Sequence, residues 1–238
     1  MNFIYFTQKL INILNIDIKK YPNSDLRRRK RLLEYYKISK ILDVGANIGQ
    51  YAMLTRKLGF KGEIISFEPI LSVFNQLSKN SEKDKKWKAY NLAIGSREEK
   101  STINVSKNSY SSSMLEILKT HTSCSPDAEF IRNEDIIVTT IDKLYADLVD
   151  RNDIVFLKID VQGSEKFVIQ GAEESLKKIM GIQIEMSIEE LYKDEILFLE
   201  MIMILKDLGF NLYSLENGFY NTKTGKLLQV DGIFFRDE

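Results

Sequence analysis

Ile41-Leu42-Asp43-Val44-Gly45-Ala46-Asn47-Ile48-Gly49 decides the fold. Its first four residues form a short apolar run with one carboxylate, the run stops at a glycine, and a helical pattern continues through Leu58. A buried strand that turns at glycine into a helix is the opening unit of an α/β sheet. Gly45 and Gly49 let the backbone turn tightly and approach a ligand without a β-carbon in the way. The stretch is not the G-x-G-x-x-G dinucleotide fingerprint, because Asn47 occupies the second glycine position and the spacing differs. A carboxylate beside such a turn suits a cation better than a pyrophosphate. S-adenosylmethionine, with its positive amine and sulfonium, is the ligand this suggests.

Downstream of this stretch, strand and helix signals alternate. Residues 63–67 read as a second strand ending at Glu68-Pro69, a helix runs to about Asn80, and residues 89–93 give a third strand. Residues 154–159 are apolar except for Lys158, as in a strand buried on both faces of a parallel sheet. A helix over 164–179 with a break near Gly171, a strand over 182–186 and a helix ending near Leu208 follow. Residues 211–215 and 227–235 have no helix between them, so they should pair as an antiparallel hairpin at one edge. The pattern predicts a doubly wound, mostly parallel sheet over residues 39–238 behind an N-terminal helical extension over 1–38.

Open α/β sheets bind ligands outside the carboxyl ends of their strands, and here those ends carry Asp43, Glu68 and Asp160. Glu68 can accept the hydroxyl protons of a ribose. Glu185 follows another apolar run, and Asp231 lies within the closing strand. Asp160, Glu185 and Asp231 could together hold a hard divalent cation, position substrate hydroxyls, or supply a general base. No histidine pair supports the metal, so none is expected. His121 is the only histidine and sits in the longest irregular region, about 106–135, with Ser111, Ser112 and Ser113 nearby. Its ordinary pKa suits removal of a hydroxyl proton, and His121 or Asp160 is the expected proton acceptor.

The composition narrows the function. Lysine and arginine (34) balance aspartate and glutamate (34), which speaks against a general grip on nucleic acid. The single cysteine, Cys124, excludes an internal disulfide or a multi-thiolate metal site and fits a reducing, cytoplasmic location. Phe3, Phe6, Leu10, Ile13 and Leu14 fall three or four apart, yet polar residues interrupt the segment. It therefore reads as an amphipathic helix packed on its own domain or a partner, with a membrane-surface role as the alternative, rather than as a signal or a membrane span. Residues 19–40 carry nine basic side chains against Asp25 and Glu34, with Ser24 as the expected N-cap of a helix presenting Leu26, Leu33 and Tyr36. Such a face is either solvated or draws an anionic substrate or lipid headgroups.

Four segments, ILDVGANIGQYA (41–52), ISFEP (65–69), FLKIDVQGSE (156–165) and QVDGIFFR (229–236), resemble the FkbM-like S-adenosylmethionine-dependent methyltransferases. YPNSDLRRRKRLLEYY (21–36), INVSKNSYSSSML (103–115) and IEMSIEELY (184–192) resemble a branch found among surface-polysaccharide genes. Gln162 stands where much of the wider family has glutamate. The resemblance implies a class I methyltransferase sheet and O-methyl transfer, commonly to a sugar hydroxyl. It implies that Asp43, Gly45, Asn47 and Gly49 surround the methionine part of the cofactor, that Glu68 takes the ribose, and that Asn91 to Ala93 lie beside the adenine. Asp160 would stand near the sulfonium, with His121, Glu185, Ser111, Ser112 and Asp231 on the acceptor side. The expected acceptor is a small molecule or a glycan, and the basic stretch with the amphipathic segment suggests, as a further hypothesis, contact with lipid-linked glycans at the inner membrane face. The rival readings are a silent cofactor-binding module and a nicotinamide oxidoreductase; the missing fingerprint disfavours the second.

Overall fold

The computed structural model describes residues 21–237, so the amphipathic pattern over 1–20 lies outside the described residues. The chain opens with α1 (Ser24–Tyr35) and then alternates: β1 (Lys40–Val44), α2 (Gln50–Lys57), β2 (Glu63–Phe67), α3 (Leu71–Ser81) and β3 (Trp87–Tyr90). An excursion follows, made of β4 (Ala93–Ile94), β5 (Glu99–Ser106), α4 (Lys119–Cys124) and β6 (Phe130–Thr139). Alternation then resumes with α5 (Ile141–Leu148), β7 (Val155–Ile159), α6 (Glu165–Gln170), α7 (Glu173–Leu176) and β8 (Gly181–Ser187). The chain closes with α8 (Phe198–Asp207), β9 (Asn211–Asn217) and β10 (Gln229–Phe235).

Seven strands form one sheet in the order β3-β2-β1-β7-β8-β10-β9. The first five are parallel; β10 inserts antiparallel to β8 and to β9, which leaves β9 on the edge. This is the Rossmann-like sheet with an antiparallel C-terminal hairpin that the sequence pattern predicts. Two cores cover its faces. Leu42, Leu157, Ile182 and Phe234 face Val168, Leu176, Met201 and Leu205 of the later helices. Ile41, Ile64, Phe156 and Ile233 face Leu33, Ala52 and Leu77 of the earlier ones. Each fully buried Ile, Leu or Phe contributes about 1.5–3 kcal/mol, so the parallel strands anchor everything mounted on their ends.

Three expectations need correction. The interval 89–139 is not one strand and a loop: β3 ends at Tyr90, and β4, β6 and β5 form a second, three-stranded sheet in that order. The N-cap of α1 is Asn23 rather than Ser24, because the Asn23 side chain accepts from Leu26 N at 2.8 Å. The basic stretch is also partly internal. Arg29 is buried against Glu216 of β9, Arg28 donates to Ser214 at 2.8 Å, and Lys40 is buried between Glu63 (2.9 Å) and Asp153 (2.7 Å). Tyr36, just past α1, stacks on Phe235 at 4.1 Å, so α1 is packed directly on the hairpin edge.

Candidate active site

A cavity of about 320 Å³ opens at the carboxyl ends of β1, β2, β7 and β8. One end is made of backbone. Gly45 has φ +76°, and a β-carbon there would lie 1.7 Å from the Asp160 carbonyl oxygen, so only glycine lets the turn after β1 cross the end of β7. Asn47, also at positive φ, donates its backbone N–H to Glu68 Oε2 at 3.0 Å, and Ile70 N donates to Glu68 Oε1 at 3.0 Å. Glu68 thus knits the turn after β1 to the start of α3 while lining the cavity. Its burial raises its pKa to about 7, against the pull of those two backbone donors.

Beneath this turn runs a buried polar row across the sheet. Trp87 Nε1 donates to Ser66 Oγ (2.9 Å), Ser66 Oγ donates to Asp43 Oδ2 (3.0 Å), and Lys158 Nζ lies 3.6 Å from Asp43 Oδ1. Lys158 also reaches the Gly45 carbonyl (3.3 Å) and Asp160 Oδ2 (3.3 Å), tying the glycine turn to the end of β7. Burial works against its charge, but Asp160 and Asp43 outweigh that penalty and raise its pKa. Asp43 is itself wholly buried, and desolvation raises its pKa while Lys158 and Ser66 oppose the rise.

Side chains brought from distant segments build the other end. Asp160, Gln162, Glu185, Gln229, His121 and Phe219 line it. Gln162 Nε2 donates to Asp160 Oδ1 at 2.8 Å and to Glu185 Oε2 at 2.7 Å, and Gln229 Nε2 donates to the same Glu185 oxygen at 2.9 Å. Glu185 Oε1 takes no hydrogen bond from the described residues. Burial, followed by Asp160 and Asp231, raises the Glu185 pKa well above the ordinary carboxylate range. His121, on α4, is buried edge-on to Tyr192 (5.2 Å) and tilted against Phe219 (5.3 Å), with Nε2 3.5 Å from Ser111 Oγ. Its Nδ1 has no partner among the described residues, and burial lowers its pKa to about 4.

The structure therefore gathers Gly45, Asn47, Glu68, Ser111, Ser112, His121, Asp160 and Glu185 around one cavity. It places four of the residues expected at the cofactor differently. Asp43 lies in the row beneath the turn and does not line the cavity. Gly49 is needed for packing, since a β-carbon on it would meet the Trp87 ring at 2.5 Å. Asn91 donates to the carbonyls of Glu68 (2.9 Å) and Pro69 (2.8 Å), fixing the turn after β2. Ala93 lines a separate apolar crevice of about 40 Å³ that adjoins the cavity at Gly45, Pro69 and Ile103.

On the acceptor side, Ser112 lines the cavity, yet its hydroxyl is spent within its own loop, on Ser109 O and Ser106 N. Asp231 does not reach the cavity lining; it accepts from Gln183 at 3.3 Å. Among the described residues there is no group of three or more His, Cys, Asp or Glu that could hold a metal ion, and the Gln162 amide bridges Asp160 and Glu185. Sequence reasoning missed Gln162, Gln229, Tyr192 and Phe219 as site residues. Lys158 carried a signal, as the one polar residue of its strand in register with Asp43.

The chain is similar in structure to several methyltransferases. A TehB-like SAM-dependent methyltransferase from Corynebacterium glutamicum is 10% identical, with 98% of this chain and 96% of that one covered and a TM-score of 0.42. Magnesium protoporphyrin IX methyltransferase from Synechocystis, solved with bound SAM, is 9% identical, with coverage of 98% and 91% and a TM-score of 0.45. An rRNA methylase from Streptococcus thermophilus is 8% identical, with coverage of 93% and 99% and a TM-score of 0.48. No curated protein matches the sequence. The family model of the methyltransferase FkbM domain matches residues 43–212, a span that runs from the end of β1 through β8 into β9. On that match the chain belongs to the FkbM methyltransferase domain family, whose chemistry is S-adenosylmethionine-dependent methyl transfer.

Proposed function

We propose that this methyltransferase acts on a hydroxyl group, of a sugar or glycan acceptor, with Glu185 as the proton acceptor. When bound, S-adenosylmethionine supplies a methyl group on a positively charged sulfur. The residues at the first end of the cavity fit it: the Gly45 turn leaves room for close backbone approach, and both Glu68 oxygens keep a lone pair for ribose hydroxyls beyond the bonds from Asn47 and Ile70. Asn47 and Gly45 flank the methionine part, and Ile70 and Ile103 give the cavity an apolar wall for the base.

The observation that carries the reading is the single cavity joining that end to Glu185, whose Oε1 is unclaimed by the described residues. A hydroxyl becomes a good nucleophile only as its proton leaves, and a carboxylate with raised proton affinity takes it well. His121 is the weaker base, since burial holds its pKa at about 4. Asp160 has one oxygen on Lys158 and the other on Gln162, so it aligns rather than abstracts. Phe219 gives this end an aromatic wall suited to a pyranose, and Ser111 offers a hydroxyl beside it.

The test is a panel of glycans incubated with isotopically labelled S-adenosylmethionine and read by mass spectrometry. Glu185→Gln should lower kcat by about a hundredfold or more while S-adenosylhomocysteine still binds. Label appearing only on non-hydroxyl acceptors, or an unchanged rate for Glu185→Gln, overturns the reading.

A lipid-linked acceptor is supported by the part of the basic stretch that remains outside: Arg27, Arg31 and Lys37, with Tyr21 and Tyr35 exposed beside them. No helix among the described residues is long and apolar enough to cross a membrane, so this contact would be peripheral. Flotation with anionic vesicles tests it. Equal recovery of the wild type and an Arg27→Glu, Arg31→Glu, Lys37→Glu variant with the vesicles removes it.

A further inference from the structure

Gln162 has a β-carbon and yet sits at φ +55°, in the left-handed region that such residues seldom adopt. The strained backbone delivers a particular side-chain position. An amide nitrogen carries two hydrogens, and here one goes to Asp160 Oδ1 (2.8 Å) and the other to Glu185 Oε2 (2.7 Å). The amide oxygen shares the single Tyr192 hydroxyl hydrogen with Ser111 O, each at 3.0 Å, so every polar atom of the amide has a partner, and the flipped amide would set its oxygen against two carboxylates. Tyr192 is fully buried, lies within contact of Ser111 O (3.0 Å), and packs its ring over Gly163. The Gln162 carbonyl accepts from Ser113 Oγ at 2.6 Å. Both ends of the residue are therefore locked.

Asp160 and Glu185 converge on this one nitrogen, and like charges so placed raise each other's proton affinity. We infer that Gln162 is a positioning residue of the transfer reaction, its amide donating to Asp160 and Glu185 at once so that the two carboxyl groups stay separately aimed. The inference rests on the proposed role of Glu185. The charged and titratable groups that face Glu185 are Asp160 and Lys158 from the β7 end, Asp231 from β10, Glu165 from α6 and Tyr192 from the segment after β8. Only Lys158 among them is cationic, so the neutral donor of Gln162 supplies much of what holds the pair.

Three variants of the full chain test this: Gln162→Glu, Gln162→Asn and Glu185→Gln. The side-chain carboxyl of Glu185 is followed by carbon-13 NMR against pH, assigned by its loss in Glu185→Gln, so the first readout needs no acceptor. In Gln162→Glu a third carboxyl replaces the donor, and the Glu185 midpoint should rise by about one pH unit or more. Gln162→Asn keeps a residue that tolerates positive φ but is too short to bridge; it should leave the melting temperature near that of wild type and lower kcat about tenfold. S-adenosylhomocysteine affinity should stay within about threefold of wild type in both. A Glu185 titration that superimposes on wild type in Gln162→Glu overturns the inference. If Glu185→Gln transfers methyl at the wild-type rate, the assigned proton acceptor is wrong, whatever Gln162 does.

Discussion

The two ends of the cavity are built differently. The cofactor end is backbone and strand termini: Gly45, the N–H of Asn47 and the carboxyl of Glu68 lie within one β-α-β unit, on adjacent parallel strands. At the acceptor end, Gln162, Tyr192, His121, Phe219 and Gln229 arrive from separate segments, joined by side-chain contacts and by a few loop backbone bonds such as Gln229 N to Phe219 O (3.0 Å). The first end can be placed by the sheet alone. The second exists only if every loop closes correctly, so its residues are free to change with the acceptor while the sheet is untouched. Substitutions at the cofactor end should therefore damage fold and binding together, and those at the acceptor end should separate turnover from stability.

Gly45→Ala should have the largest effect. The added carbon falls 1.7 Å from the Asp160 carbonyl oxygen at a φ of +76°, so β1's turn or the end of β7 must move. A loss of more than about 3 kcal/mol is expected, with S-adenosylhomocysteine binding abolished, read by denaturant unfolding and calorimetry. A stable variant that still binds would show that the first end is as adaptable as the second.

Lys158→Met comes next. It leaves Asp43 and Asp160 without their buried cation and frees the Gly45 carbonyl. Removing one partner of a buried ionic group costs about 3–5 kcal/mol. Adding Asp43→Asn should recover part of it, because the uncompensated charge goes too. Lack of any recovery would separate the buried row from the turn above it.

The contrast between the ends also explains what could be read in advance. Residues 41–44, 64–67, 155–159 and 182–186 are mostly apolar because the sheet buries both their faces, so the strands, and the few carboxylates in or just after them, stand out. β5 and β6 gave no such signal. Glu99 to Thr102 are half-exposed or exposed, and Ile131 and Ile137 on β6 face solvent, so the alternation is scrambled and the interval reads as a loop. Asp43 was placed in the cleft since strand position says nothing about which face a side chain joins; its register with Ser66 and Lys158 puts it on the buried row. Gln162 and Tyr192 are 30 positions apart, and their pairing depends on how the segment after β8 returns, which no local pattern encodes.

Glu68→Gln tests the cofactor end more gently. A pKa raised to about 7 means that the folded chain holds a proton the unfolded chain releases near its ordinary value. Stability from this group is full below about pH 4.5 and is lost as pH rises through about 7. Ribose hydroxyls donate to the ionised form, so S-adenosylhomocysteine affinity should rise with pH over the same interval and binding should release a proton. The variant should flatten both slopes and weaken binding about tenfold, measured by calorimetry in buffers of different ionisation enthalpy. Identical proton release in the variant would remove Glu68 from the ribose site.

His121→Phe should be the smallest, and it sharpens the contrast most. Burial keeps the imidazole neutral down to about pH 4 while the unfolded chain protonates nearer its ordinary value. A depressed folded pKa gives stability that is present above about pH 6.5 and lost as pH falls through about 4, up to about 3 kcal/mol. Phenylalanine keeps the edge-on contact with Tyr192 and the tilted one with Phe219 and removes the unpartnered Nδ1, so the acid slope should disappear with little change at pH 8. If Glu185 takes the proton, the alkaline side of the rate profile should be that of wild type and only acceptor KM should move. A kcat that collapses across the whole range would instead make His121 part of the chemistry, and the acceptor end would then depend on α4 as rigidly as the cofactor end depends on its glycine turn.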